Sequence, residues 1–488
     1  MKYKIFVLFL LVSFSLGSCK KYLEVDPKNQ RPLTTVNDVK LVLAGYLKVI
    51  KPGETTTFHA TLGDVMFIQP SYWSMFEYYS DNIDFQRDYS NYVTSGGPVG
   101  GKDFAKLILI NNFSAPTAMW VQHYKSIGFM NVLLDALDKA TGDDHLKQQL
   151  RGEMLVCRAM YYFKLLQYFA PYKDDAQGIP VYTDAAGPFA GLSIPRSSQK
   201  EVFQFIIGQL TEAANFATNP DLDYNVLYNK TYIRNFLAQV YWYKAESGAK
   251  ETTDYSNAKN YAREALNGII LPATYDDYVK SLSGNYANSY PIYQRWGGSS
   301  TFSEQTYGQA FGSTKFTPHA SPGLLSIFNT ADFRYKAYIK ADSTIVRPME
   351  TSPKQFTTAY SLFRPEEAYM INMEATLKSG GTDAEVRTLL NNFRRLRGIN
   401  TDFTGTDLNQ EIINERRREF CFHTDLRWLD MKRYGIGLSR NAMQMFGQTL
   451  SVSVLPNGYH YALPIPVNEE LRLNPAMTAN PSWIEILF

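Results

Sequence analysis

Along most of this chain apolar residues recur every three to four positions, and that spacing predicts one helix after another. From Thr117, the residues Trp120, Tyr124, Ile127, Asn131 and Leu134 keep helical spacing to about Lys139. Asp143-Asp144 then opens a second helix, in which Leu150, Met154, Cys157, Tyr161, Leu165 and Tyr168 share one face. It stops at Pro171, whose ring cannot continue a helix. Ala159, Phe163 and Pro171 reproduce the Ala-x-x-x-Phe…Pro spacing near the end of a tetratricopeptide repeat. There the small residue lets helices approach, the ring fills the groove and the proline ends the pair. Further helices are predicted over 36–51, with Thr35 or Asn37 as cap, and from Ser197/Ser198 to about Phe216. Others follow at 232–246 (Ala238, Ala245), 255–266 (Ala258, Ala262, Ala265), 366–378 and 383–397. A last one is capped by Asp407 with Gln410 and runs through Ile412, Ile413, Glu415, Arg416 and Phe420.

Two stretches break the pattern, about 60–115 and about 268–360, both rich in Gly, Ser and rings. The helical pattern spans both, so residues 36–488 read as a single all-α domain, a tetratricopeptide-like helical body with two long irregular inserts. Loops of that length in a compact body are usually functional. Residues 19–35 are polar, contain Pro27 and Pro32, and read as a tether. Residues 459–488 hold Leu463-Pro464-Ile465-Pro466, Asn474-Pro475 and Asn480-Pro481, and read as an extended tail laid on the body.

The first residues follow another rule. Lys2 and Lys4 precede a nearly unbroken apolar run over 5–16, then Leu16-Gly17-Ser18-Cys19 and Lys20-Lys21. A positive start, a short apolar core and small residues at the cut predict a signal peptide over 1–18. The run is too short for a transmembrane helix, which needs about 20 residues. The Leu-Gly-Ser-Cys order resembles the bacterial lipobox, which implies acylation of Cys19 and anchoring of the mature chain by lipid. A stable anchor takes more than one acyl chain.

Composition removes several classes. The net charge of +2 lacks the basic excess of a nucleic-acid binder. None of the six histidines falls in a His-x-x-x-His spacing and no Cys-x-x-Cys occurs, so no metal site and no cofactor are proposed. Cys157 and Cys421 sit in apolar helical stretches and read as small buried hydrophobes, with a bridge between them left open. Gly96 to Lys102 has Walker A spacing, but Asp103 stands where a Ser or Thr hydroxyl is needed and no strand precedes it. The acid pairs Asp143-Asp144, Asp276-Asp277 and Glu366-Glu367 are adjacent residues that point apart, so they read as caps and solvated charge. No catalytic constellation stands out.

What is unusual is the ring content: Tyr 34, Phe 30 and Trp 6, or 14% aromatic. One insert holds Tyr72-Trp73, Phe76, Tyr78-Tyr79 and Tyr89; the other holds Tyr286, Tyr290, Tyr293, Trp296, Phe302 and Tyr307. A flat ring stacks on the C–H face of a sugar while nearby Asn, Asp, Arg and Gln meet its hydroxyls, the apolar-wall recipe of small-molecule sites. The plainer reading is that such rings pin long loops to the helices. Trp73 and Trp296 stand out because both lie in polar loop surroundings.

With these residues in view, the chain resembles the SusD/RagB-type outer-membrane lipoproteins over nearly its full length. The resemblance rests on the lipobox with Tyr22-Leu23-Glu24 and Pro27, on Trp120…Tyr124…Ile127…Asn131, and on Arg158-Ala159-Met-Tyr-Tyr-Phe163. It continues through Gly178-Ile-Pro180, Pro195-Arg196-Ser and Glu201-Val202. Its most specific parts are Asn391-Asn-Phe-Arg394, Ile412-Ile-Asn-Glu415-Arg-Arg-Arg-Glu419-Phe, Asp425-Leu-Arg427-Trp428, Lys432-Arg433 and Leu463-Pro-Ile-Pro466 with the two Asn-Pro steps. The resemblance implies a tetratricopeptide-like fold outside the outer membrane, partnered with a SusC-like TonB-dependent transporter barrel. It implies capture of oligosaccharides, or of peptides in some relatives, without cleavage, so the chain is expected not to be an enzyme. By the same resemblance Tyr72, Trp73, Tyr290 and Trp296 are the expected ligand-binding residues. An α-helical glycoside hydrolase and a protein-binding scaffold are the competing readings. Glu415, Arg416 and Arg427 read as a structural acid–base network rather than as catalysts.

Overall fold

A computed structural model describes the fold over residues 32–48, 76–84, 87, 114–185, 193–216, 229–283, 293–296, 319–345, 358–361, 364–423, 425–445 and 448–480. The helical reading holds. Helix α1 is Val36–Lys48, α2 Ser114–Lys139, α3 Asp144–Phe169, α4 Gln199–Phe216, α5 Lys230–Lys244 and α6 Asp254–Ala265. After the second insert come α10 Pro365–Lys378, α11 Asp383–Leu396, α12 Leu408–Phe420 and α13 Leu426–Tyr434.

The caps read from the sequence are built. Asp143 accepts from the Leu146 N–H at 2.7 Å and so starts α3. Ser198 and Glu201 bond each other's backbone N–H reciprocally ahead of α4, and Thr35 and Asp38 do the same at α1. At α12 only half of the box forms: Asp407 caps the Gln410 N–H, while the Gln410 side chain turns to Asn414.

Each helix packs mainly on the next, α1 on α2, α2 on α3, and so on to α6, which packs against α10 across the second insert; α10, α11 and α12 then close on one another. Ala258, Ala262 and Ala265 form the buried face of α6, and their small side chains let α5 and α10 approach it. A main core runs from Val39 and Leu43 through Trp120, Leu150, Phe163 and Tyr243 to Trp428 and Leu463. A second, between α10, α11 and α12, gathers Met370, Met373, Leu390, Phe393, Ile412 and Phe420. Cys157 and Cys421 are both free and buried within the main core.

The second insert is more ordered than its pattern suggests. It contains α7 Tyr275–Ser283, α8 Pro322–Leu325 and α9 Phe333–Tyr338, and a ribbon in which β1 Tyr293–Trp296 pairs antiparallel with β2 Thr358–Ser361. Helices of four and six residues are too short for a 3.6-residue period to show. A hairpin of β3 Leu438–Met445 and β4 Gln448–Val454 also escapes the sequence reading; its register shifts between Arg440 and Met443, which breaks the alternation. Helix α13 is missed for a different reason. Arg427, Asp430, Lys432 and Arg433 are buried along with Trp428 and Met431, so it has no polar face to set against an apolar one.

Both chain ends of the body are tied down. Thr34 and Val36 exchange backbone bonds with Thr141, so the last residues of the expected tether already belong to the body. At the other end, Leu463 N–H reaches Tyr168 O, and Asn480 Nδ2 donates to Phe169 O and Leu463 O. Over residues 459–480 the tail is laid on the body. Just as close is the approach of Gly178 to the segment ahead of α4: a Cβ there would lie 2.3 Å from Ser197 O and 2.8 Å from the Ser198 carbonyl carbon. Gly178→Ala is therefore expected to destabilise the protein by about 1–3 kcal/mol, the cost of overpacking a backbone contact. Urea unfolding measures it.

Candidate functional site

Helix α12 carries Arg416-Arg417-Arg418-Glu419 in a row, and a helix turns each successive side chain by about 100°. Four neighbours therefore reach four parts of the molecule. Arg416 turns into the body, donating to Asp430 at 2.8 Å and pairing with Glu367 at 3.3 Å. Arg417 reaches the first insert, where Nη2 donates to Asp81 O at 2.8 Å and Nε to Asn82 Oδ1 at 3.1 Å. Arg418 donates to Ile327 O of the second insert at 2.9 Å. Glu419 binds Arg397 of the α11 C-cap through both oxygens at 2.8 and 2.9 Å, and also takes Arg334 and Arg364.

The arginine–carboxylate cluster around Glu419 is almost dry. Arg334, Arg397, Glu415 and Glu419 have no measurable exposure, and Asp332 holds Arg334 in a two-pronged grip at 2.9 and 2.7 Å. Burial would raise the Glu415 carboxyl, but Arg334 and Arg418 outweigh it and bring it down to about 2. Glu419 is likewise lowered, burial being overcome by Arg397, Arg364 and Arg334. Glu366, read from sequence as a cap or solvated acid, sits inside this network against Arg397 and Arg364. Its neighbour Glu367 pairs with Arg416 and Gln239. Charges this well matched hold elements together. The expected structural role of Glu415, Arg416 and Arg427 is what the geometry supports. A cleft of about 280 Å³ beside the network is walled by the same matched charges, among them Asp332, Arg394, Glu411 and Arg418, with the one ring of Phe403.

The place where the two inserts meet is a better candidate. Asp81 receives a two-pronged bond from Arg427 of α13, 2.7 Å to Oδ1 and 2.8 Å to Oδ2, and lies 3.2 Å from Arg417. Its carboxyl stays below the usual range, because Arg427 and Arg417 overcome the effect of burial. The backbone beside it is joined to the far end of the second insert. Ser321 Oγ donates to Asp81 O at 2.6 Å, Ser321 N–H to Asn82 O at 2.8 Å, and Asp84 N–H to His319 O at 2.9 Å. Ile83 and Ala320 form an antiparallel bridge, and Arg87 reaches Ser343 Oγ at 2.7 Å. Residues 76–84 and 319–345 thus leave the body as neighbours.

Of the ring candidates, Tyr72, Trp73 and Tyr290 lie outside the described residues, as does Cys19. Trp296 ends β1, opposite Thr358 in the ribbon that leads back to Arg364 and α10. Phe76, Tyr78 and Tyr79 are core rings: all three are fully buried, and Phe76 stacks on Tyr168 with centroids 5.0 Å apart and tilts against Trp428. For these three the loop-pinning reading is right. The residues that sequence reasoning did not single out are Asp81, Asn82 and Ser321, whose partners are hundreds of positions away and leave no local signature.

The fold and this junction define a class: an α-helical repeat protein whose paired inserts are bound to one charged helix. The chain belongs to the SusD family. The SusD family model matches residues 211–483, and a model described as "Starch-binding associating with outer membrane" matches residues 21–242. Solved structures agree on the fold. A SusD superfamily protein from Bacteroides vulgatus is 18% identical with a TM-score of 0.70, covering 92% of this chain and 100% of that one. A SusD superfamily protein from Bacteroides thetaiotaomicron is also 18% identical, at a TM-score of 0.68 over 92% of this chain and 100% of that one. A SusD-like carbohydrate binding protein from Bacteroides vulgatus is 18% identical at 0.64, covering 91% and 97%. The curated proteins give no match. Among the described residues no helix is long and apolar enough to cross a membrane.

Proposed function

We propose that this chain is a lipid-anchored binding protein of the outer cell surface that captures oligosaccharides and passes them, uncleaved, to a TonB-dependent transporter. Its body, residues 36–488, acts in this reading as one binding domain. The observation that carries the reading is the bridge between residues 81–84 and 319–321, because the two ring-bearing inserts then rise from one junction. Family membership supports the sugar, and so does a relative of the same fold that is itself called a carbohydrate binding protein. The anchor rests on the lipobox ending at Cys19.

Titration calorimetry against a panel of oligosaccharides and peptides tests the ligand. At least one oligosaccharide should bind, and reducing ends should not accumulate on incubation with it. Binding of peptides alone would replace the sugar by a peptide, and accumulating reducing ends would make the protein a hydrolase. For the anchor, Cys19→Ala is expected to abolish incorporation of labelled fatty acid and to release the protein from the membrane fraction. Unchanged labelling would remove the lipid from the proposal.

A further inference from the structure

Glu77 has no part in the reading above, yet it is a fully buried acid poor in donors. Its Oε2 accepts from Asn82 Nδ2 at 3.3 Å and lies 3.5 Å from Ser80 Oγ. Its Oε1 is buried with no hydrogen-bond partner among the described residues. The charged and titratable groups that face it are Asp81 on its own turn, Arg427 on α13, and Arg417 and Cys421 at the end of α12. Both arginines are already engaged by Asp81. Burial pushes the Glu77 carboxyl up to about 8, so it is mostly protonated at neutral pH.

Asn82 connects this acid to the inserts. Its Nδ2 donates to Glu77, its Oδ1 accepts from Arg417, and its backbone oxygen accepts from Ser321 N–H at 2.8 Å. Removing the proton leaves a carboxylate in a pocket where one oxygen meets no donor, a costly state that water relieves. For water to reach it the turn over 77–84 would have to open, and that same turn carries the bridge to 319–321. We infer that Asp81 and Glu77 are positioning residues: Asp81 ties the two inserts to α12 and α13, and the proton on Glu77 keeps that tie closed. The inference rests on the binding reading for its ligand, and on the junction alone for its latch.

Affinity for the tightest-binding oligosaccharide, measured from about pH 6 to about pH 9, tests the pair. Wild type should lose about tenfold in affinity across that range, the loss expected when the competent state falls to about a tenth. Glu77→Gln copies the protonated acid and should hold its affinity within about twofold, because population changes that small shift the apparent constant little. Asp81→Asn should bind about tenfold more weakly at every pH, by the same arithmetic. A wild-type profile matched by Glu77→Gln, or undiminished binding by Asp81→Asn, overturns the assignment. Amide exchange of wild type without ligand reads the latch separately. After correction for intrinsic rates, amides at 82–84 and 319–321 should lose protection relative to α3 as pH rises. Protection that does not change overturns the latch; a latch that opens in a protein binding no oligosaccharide overturns the binding reading instead.

Discussion

Replacing Glu419 by glutamine is expected to lower stability by about 3–5 kcal/mol, the usual cost of removing one side of a buried ion pair. Glu419 is the only shared partner of Arg397, Arg334 and Arg364 among the described residues, and it is fully buried. Each arginine keeps another acid: Glu366 for Arg397, Asp332 and Glu415 for Arg334, and Glu366 for Arg364. The positive excess nonetheless stays in a dry site. Equilibrium unfolding in guanidinium chloride measures the loss; a change below about 1 kcal/mol would make the cluster worth no more than a surface ion pair. The same cluster sets an acid limit. Glu415 is held at about 2, below its unfolded value of 4.5, so its contribution is complete above the unfolded value. That contribution is lost as pH falls from 4.5 through about 2. Stability should therefore drop steeply over that window in wild type, and less steeply in Glu415→Gln.

Trp73→Ala and Trp296→Ala should each weaken oligosaccharide binding by about 10- to 100-fold, since burying one large ring is worth roughly 1.5–3 kcal/mol. The expectation follows from the resemblance for both residues; of the two, Trp296 is among the described residues, ending β1 opposite Thr358. Calorimetry on both variants gives the answer. Unchanged affinity in both would remove these rings from the site and shift attention to the other rings of the inserts.

How much of this could be read beforehand depended on how local the signal was. The helices α1 to α6 and α10 to α12 announced themselves because each has a partly solvated face, and α1, α3, α4, α5, α11 and α12 also have a side-chain cap at the start. Asp143, Ser198 and Thr35 were legible for that reason. Helix α13 was not, since its charged residues are inside and partnered by Asp81, Glu374 and the carbonyls of Gln167 and Ala170. In the candidate site, the ring-rich inserts were visible by composition, whereas Phe76, Tyr78 and Tyr79 looked the same as ligand rings until their burial was known.

Local chemistry therefore determined by itself the helical class, the caps, the inserts and the expected lipid attachment at Cys19. Each depends on residues within a few positions of one another, and such patterns survive in one dimension. The tertiary structure alone decided that Glu366 is buried, that Arg417 and Arg427 hold Asp81, and that residues 81–84 meet 319–321. Those facts are pairings across long stretches of chain, chosen by which charges the packed helices leave without water. No spacing in the sequence records that choice.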